Sequence, residues 1–404
     1  MADSISMSSP PESGRSSNRP FLVACFCVLV SAEIFNFAYT RNPAHWSDFR
    51  AFYAAGYLLR THPASLYDLA RQQQVQATAI SNNGIFIPFY HPSYEALLFA
   101  PLSFFSYPVA DGIFIAFSVL CLLGAFYAAR PLFSNRIPYL QSRPGMMLIF
   151  FLPLLGTIFW GQDSLVFFAL FCLMWRQLSQ GKDFTGGVAL GLALFRFQLA
   201  IPLAILIAAR RGRRFAAGFL TAGVAVFLLC SCLIGSSGMA SLARLLTHAS
   251  LAVDQGMHAQ ALMKVHPTQM PNLVGLLYVA VTRHLRPAVA FAVVTVASLS
   301  LLAWTIHRVR RTSSEWKALT MTIICGELLS YHLFPYDLTI LLPAFALLGC
   351  NDNPLIVLIL YWIPPLLYIV LGGHSLFLYA IPLLGLLAYV SSRSDSPATL
   401  EKSS

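Results

Sequence analysis

Apolar runs of about membrane-span length recur along this chain from Phe21 to Val390, and no other feature limits its fold so strongly. A bilayer core about 30 Å thick needs about 20 apolar residues per helix. Lipid offers no partner to backbone N–H and C=O groups, so a spanning segment must be a helix or part of a closed barrel. A spanning barrel is written in short alternating segments, whereas these runs are continuous. The fold class is therefore all-α, a polytopic transmembrane helical bundle. Charged residues make up 10% of the chain and mean hydropathy is +0.68, against about 25% charged residues in a soluble domain.

The eight cysteines, Cys25, Cys27, Cys121, Cys172, Cys230, Cys232, Cys325 and Cys350, all lie inside apolar runs. None sits in a polar loop, so no disulfide framework is indicated, and the C-x-C pair Cys230/Cys232 reads as packing. No CxxC, HExxH, Walker or GxGxxG pattern occurs. The sequence thus predicts no cofactor and no metal. The net charge of +10 does not call for nucleic acid, because the positive-inside rule accounts for it.

Expected spans are 21–39, 108–129, 144–160, 164–180, 184–197, 198–209, 215–235, 287–307, 316–333, 335–350, 354–371 and 374–391, giving about 11–13 in all. The short pair 184–197 and 198–209 reads as two arms of a hairpin, with a break at Arg196–Gln198. Residues 93–106 are apolar but short and hold Pro101, and read as non-spanning. The domains are a disordered cytoplasmic tail (1–20), a membrane domain (21–392) whose first outer loop with interfacial helices is 40–107, and a C-terminal cytoplasmic tail (393–404). With both termini cytoplasmic, Arg130, Arg136, Arg143, Arg176, Lys182, the Arg210–Arg214 cluster, Arg308–Arg311 and Lys317 all fall inside.

The remaining polar residues then gather on the outer face. Asp48 precedes the helical stretch Phe49–Leu59, so it can cap that helix, offer a carboxylate to a substrate, or do both. Phe49, Phe52, Tyr53 and Tyr57 share one side of the helix and suit interfacial anchoring. His91 and Tyr94 are polar lining or interfacial. Gln162 and Asp163 form a turn, with Asp163 near a helix N-terminus, where a carboxylate is favoured structurally. Arg196, in an apolar stretch broken before Gln198, needs a counter-charge, and a phosphate suits it because arginine binds phosphate bidentately. His332, Tyr336 and Asp337 lie at the outer ends of two spans, where a histidine can equally be structural. Glu33 and Glu327 fall within spans, where a carboxylate must face a cavity or a partner.

The order of motifs, "SDFRAFYAAGYLL…LYD", "FYHPSYEALLFAPLSFFS", "GQDSLVFFAL", "GGVALGLALFRFQLAIPLAIL" followed by "RRGRR", "MPNLVGLLY" and "SYHLFPYDLTILLP", resembles glycosyltransferase family 87, the polyprenyl-phosphate-mannose-dependent mannosyltransferase-like proteins. The resemblance implies a GT-C fold, with Asp48 as the catalytic base and His332 as a contact to the donor phosphate. Two departures stand out. Tyr90-His91-Pro92 replaces the usual Tyr-Pro-Pro, and Arg196 replaces a common lysine.

By the resemblance, the expected activity is transfer of mannose or another hexose from a polyprenyl-phosphate donor to a glycolipid or glycan acceptor at the outer face of the plasma membrane, with inversion. Asp48 would be the base. Arg196, His332 and Gln198 would hold the donor, and Tyr53, His91, Gln162, Asp163, Tyr336 and Asp337 would line the cavity. Expected partners are the donor, the acceptor and membrane lipids, with no nucleic acid. The competing reading is a transporter or flippase, which should show midplane charges and internal repeats; a non-catalytic scaffold would leave the one-sided polar cluster unexplained.

Overall fold

A computed structural model describes residues 47–80, 86–133, 151–251, 267–282, 285–351, 360, 363, 371 and 373–393. The N-terminal tail, the first expected span 21–39, Arg136, Arg143, most of the expected span 354–371 and the tail beyond Arg393 lie outside the described residues. Among the described residues the protein is all-helical, as the apolar runs require.

Among the described residues four helices are long and apolar enough to cross a membrane: Tyr107–Ala129, Arg213–Leu246, Val289–Arg311 and Ser375–Ser392. Ser164–Ser179 and Pro335–Leu348 are shorter apolar helices. The helix Arg213–Leu251 is kinked at Gly235, whose φ is 66°, where the expected span ends. Residues 236–286, between the expected spans 215–235 and 287–307, carry the continuation of this helix and a separate helix, Leu273–Thr282. Ser93–Phe99 has only 7 residues, a rise of about 10 Å, so it cannot span.

Asp183–Gly191 and Leu194–Arg211 are apolar enough to cross only as a pair, and they meet at 63° across the break at residues 192–193. The next helix, Arg213–Leu251, runs parallel to the first arm. A Cβ on Gly187 would lie 2.1 Å from the Phe215 carbonyl oxygen, and one on Gly191 would lie 2.5 Å from Ala222 Cβ. Only glycine permits that approach. Because Phe215 follows Arg211 so closely, Lys182 and the Arg210–Arg214 cluster occupy one end of the bundle. Arg308 and Lys317 reach the carbonyls of Ser391 and Arg393 at that same end.

The helix Phe49–Thr61 is bound by aromatic packing. Phe49 stacks on Phe114 at 5.2 Å and Phe52 on Phe99 at 4.7 Å, while Tyr53 meets Tyr107 edge-on at 5.5 Å. Phe49, Phe52 and Tyr53 are all buried. The anchoring expected at a lipid interface is instead core packing, because Ser93–Phe99 and the helix beginning at Tyr107 cover this face. Only Tyr57 stays half-buried, with the Arg60 guanidinium 5.3 Å from its ring. Glu327 is fully buried in Glu315–Leu329 and so faces protein rather than lipid.

Candidate active site

The entry to Phe49–Thr61 fixes Asp48. Its backbone N–H donates to the Trp160 carbonyl at 3.0 Å, and the Ser47 hydroxyl donates to the same oxygen at 3.3 Å. The turn at 160–163 is thereby docked on residues 47–48. Gly161 makes the turn possible: its φ is +64°, and a Cβ would lie 2.6 Å from Phe49 Cβ. Asp48 makes no side-chain cap bond to its helix. Its carboxylate instead accepts from Gln162 Nε2, which separates the capping reading from the functional one. Asp68 is the aspartate that does cap, accepting from Ala70 and Arg71 at the start of Leu69–Ala79.

Gln162 passes this contact inward, accepting from Arg196 Nη2 through its Oε1 at 2.6 Å. Arg196 sits where Leu194–Arg196 breaks the helix pair, and it is 3% exposed. The Leu192 carbonyl at the break accepts from the Tyr94 hydroxyl at 3.0 Å. The Arg196 guanidinium also donates to Asp163 and Asp337, and its centre lies 5.6 Å from the Tyr336 ring. The counter-charge that the sequence demanded is thus supplied by two carboxylates. Asp163 makes no cap bond either. Burial alone would raise its pKa, but the Arg196 charge outweighs that and holds it below the ordinary range.

Asp337 comes from the far end of the chain. Its Oδ1 accepts from Ser164 Oγ at 3.0 Å and its Oδ2 from the Phe334 N–H at 3.0 Å. Thr157 Oγ1 donates to the Tyr336 carbonyl at 3.1 Å, tying Leu152–Phe159 to the 3₁₀ turn Pro335–Ile340. Five side chains therefore form one connected unit: Asp48, Gln162, Arg196, Asp163 and Asp337.

A second edge is built on residues 86–92. Gln72 donates to the carbonyls of Leu66 and Phe89 and accepts the Phe89 N–H at 2.7 Å. Gln76 holds Ile87 in the same two-way fashion. This clamp presents Tyr90 and His91. The Tyr90 hydroxyl lies 3.3 Å from His332 Nε2, and the His332 ring meets Phe334 edge-on at 4.7 Å. His91 Nδ1 lies 2.7 Å from Glu95 Oε2. Burial lowers the His91 pKa to about 4, so the imidazole is neutral near pH 7. Burial first, and then the Asp163 charge, raise Glu95 well above the usual carboxylate range. His91, the departure from Tyr-Pro-Pro, therefore has a partner one helical turn away.

Among the described residues, His91, Glu95 and Asp163 also offer one metal-ligand atom each within 4.8 Å of one another. Asp163 lies far along the chain from the other two, so no local ligand spacing encodes the whole group. Glu95, Tyr90 and the glutamines Gln72 and Gln76 were likewise missed as parts of the site. The i,i+4 spacing of His91 and Glu95 was the available signal. Gln198 is half-buried, two residues after Arg196. Tyr53, expected to line the cavity, lies instead in the aromatic core, with its hydroxyl on the Phe105 carbonyl at 2.9 Å.

A polytopic helical membrane protein with carboxylates, an amide and imidazoles gathered at one end, and arginines at the other, has the architecture of an enzyme working at a membrane surface. The chain matches the family model of glycosyltransferase family 87 over residues 89–335, more than half its length, and it belongs to that family. It is a membrane glycosyltransferase. The matched stretch includes His91, Gln162, Asp163, Arg196, Gln198 and His332, whereas Asp48, Tyr336 and Asp337 lie outside it. No curated protein and no solved structure matches the chain.

Proposed function

We propose that the enzyme moves a hexose, mannose in the first instance, from a polyprenyl-phosphate donor to a glycolipid or glycan hydroxyl, with inversion and with Asp48 as general base. The observation carrying this reading is the chain Asp48–Gln162–Arg196. The Asp48 carboxylate makes no cap bond to its own helix and is oriented by an amide that Arg196 holds from behind, the arrangement a general base requires. Asp163 and Asp337 are poorer candidates, because both are paired with Arg196.

In this reading the acceptor hydroxyl loses its proton to Asp48 while its oxygen attacks the anomeric carbon. The bond from that carbon to the phosphate oxygen breaks, and polyprenyl phosphate leaves. The phosphate lies toward His332 and Tyr90, with Gln198 at its edge. Arg196 and Gln162 position the base. Arg196 donors from Nε, Nη1 and Nη2 are already engaged, so its charge acts through the cluster. Glu95 lies between His91 and Asp163, and burial and the Asp163 charge raise its pKa. The site faces outward in the plasma membrane, with the arginine-rich end and both termini cytoplasmic.

The test is purified protein in lipid supplied with a panel of polyprenyl-phosphate sugars, reading released polyprenyl phosphate. Release dependent on one sugar and an acceptor supports the proposal. Transfer only from a nucleotide sugar would overturn it.

A further inference from the structure

The arginine-rich end carries a feature that glycosyl transfer does not use. A cavity of about 390 Å³ is lined by Ala209, Arg210, Arg211, Arg310 and Glu315. It lies 14 residues along the helix from Arg196, about 21 Å at 1.5 Å per residue. Its walls are the ends of Phe197–Arg211 and Pro287–Arg311 and the start of Glu315–Leu329. Arg210 clips the three together. Its Nη1 donates to the Val309 and Thr312 carbonyls at 2.9 and 2.7 Å, and its Nη2 to Glu315 at 2.9 Å. Arg211 reaches the other Glu315 oxygen at 3.1 Å. Arg310 makes no ion pair among the described residues.

We propose that this cavity binds the phosphodiester headgroup of an anionic phospholipid. Three guanidinium groups face one carboxylate, and the Glu315 side chain is 65% exposed, so solvent screens its competing charge. Arginine matches phosphate oxygens bidentately. Basic pockets between spanning helices, at the headgroup level, have the chemistry for anionic lipid.

The apolar surface leading to the cavity favours a lipid over a free phosphate. Ile201 and Ile205 are exposed at 43% and 41%, one turn apart, and Ala209 continues their face into the cavity wall. On the neighbouring helix Leu299 is 60% exposed and Ala303 is also exposed. Arg310 follows on that face at helical spacing. Two apolar stripes therefore converge on the arginines, in the arrangement that acyl chains and a charged head require together.

The experiment is native mass spectrometry of the full-length protein released from detergent, titrated with phosphatidylglycerol or with phosphatidylcholine of the same chains. The wild type should hold one phosphatidylglycerol at least about tenfold more tightly than phosphatidylcholine. Arg211→Gln and Arg310→Gln should each lower that affinity about fivefold, and Glu315→Gln should raise it. Arg71→Gln, at the opposite end, should leave it unchanged. Millimolar inorganic phosphate should fail to displace the lipid. Equal binding of the two lipids would overturn the proposal. So would unchanged affinity in both arginine variants with Glu315→Gln also silent, or ready displacement by phosphate.

Discussion

Replacing Gln162 tests whether Asp48 is oriented rather than merely present. Gln162 is 5% exposed and links two charged groups, accepting from Arg196 Nη2 at 2.6 Å and donating to Asp48. Hydrogen bonds to charged groups contribute about 1.5–3 kcal/mol each. In Gln162→Leu the half-buried Asp48 can recover water, but the buried Arg196 cannot. The stability loss should therefore come from the arginine side alone, about 1.5–3 kcal/mol. The catalytic loss is separate. A base displaced by about 1 Å costs on the order of 10²-fold, so kcat should fall by about that factor while the donor KM changes little. Gln162→Glu keeps an acceptor for Arg196 but sets a second carboxylate against Asp48. The pair then shares a proton, and the acid limb of the kcat–pH profile should move to higher pH, with activity partly regained in alkali. Single-turnover transfer across pH, together with thermal melts, separates these effects. Wild-type kcat and an unmoved profile in both variants would refute the orienting role.

Gly161→Ala should destabilise the protein by at least about 1–2 kcal/mol from the left-handed backbone alone, with the contact to Phe49 Cβ at 2.6 Å adding to it; a melting temperature within error of wild type would count against the docking of the 160–163 turn. Arg196→Gln strands two buried carboxylates and should cost about 3–5 kcal/mol, read as loss of monodisperse protein on size exclusion, whereas Arg196→Lys should fold better because it keeps the charge. Glu95 has its folded-state pKa raised by burial and by Asp163, so its contribution is full below the unfolded value near 4.5 and is lost as pH rises through the folded value. Relative to Glu95→Gln, wild-type stability should therefore fall as pH increases above that point, by up to about 1.4 kcal/mol per pH unit, and parallel stability–pH curves would show that Glu95 is not the group concerned.

The helices were legible because apolar length is a local property. Tyr107–Phe133, Ser164–Ser179 and Pro287–Arg311 fall where the hydropathy puts them. The break at Arg196 was also legible, since a cation inside an apolar run cannot face lipid. The partners of that cation were harder to see. Asp163 and Asp337 are 33 and 141 residues from Arg196, and no local pattern encodes such a meeting. Asp48 and Asp163 each precede a helix and so read as caps, yet neither carboxylate bonds its own helix. The aromatic face of Phe49–Thr61 read as an interfacial belt because the sequence does not reveal that Ser93–Phe99 covers it. Gln72 and Gln76, which hold the Tyr90–His91 edge, are unremarkable in sequence and act only through that long-range pairing.

The central claim is that Asp48 accepts the acceptor's proton, and Asp48→Asn tests it most directly. Asparagine keeps an oxygen for Gln162 Nε2 and removes no capping bond, because the aspartate makes none, so the fold should be unaffected. Single-turnover transfer from a polyprenyl-phosphate hexose should fall about 10²–10⁴-fold, with donor affinity unchanged within about threefold. Near-wild-type transfer by Asp48→Asn, while a folded Asp163→Asn or Asp337→Asn loses it, would contradict the assignment and move the base into the Arg196 cluster.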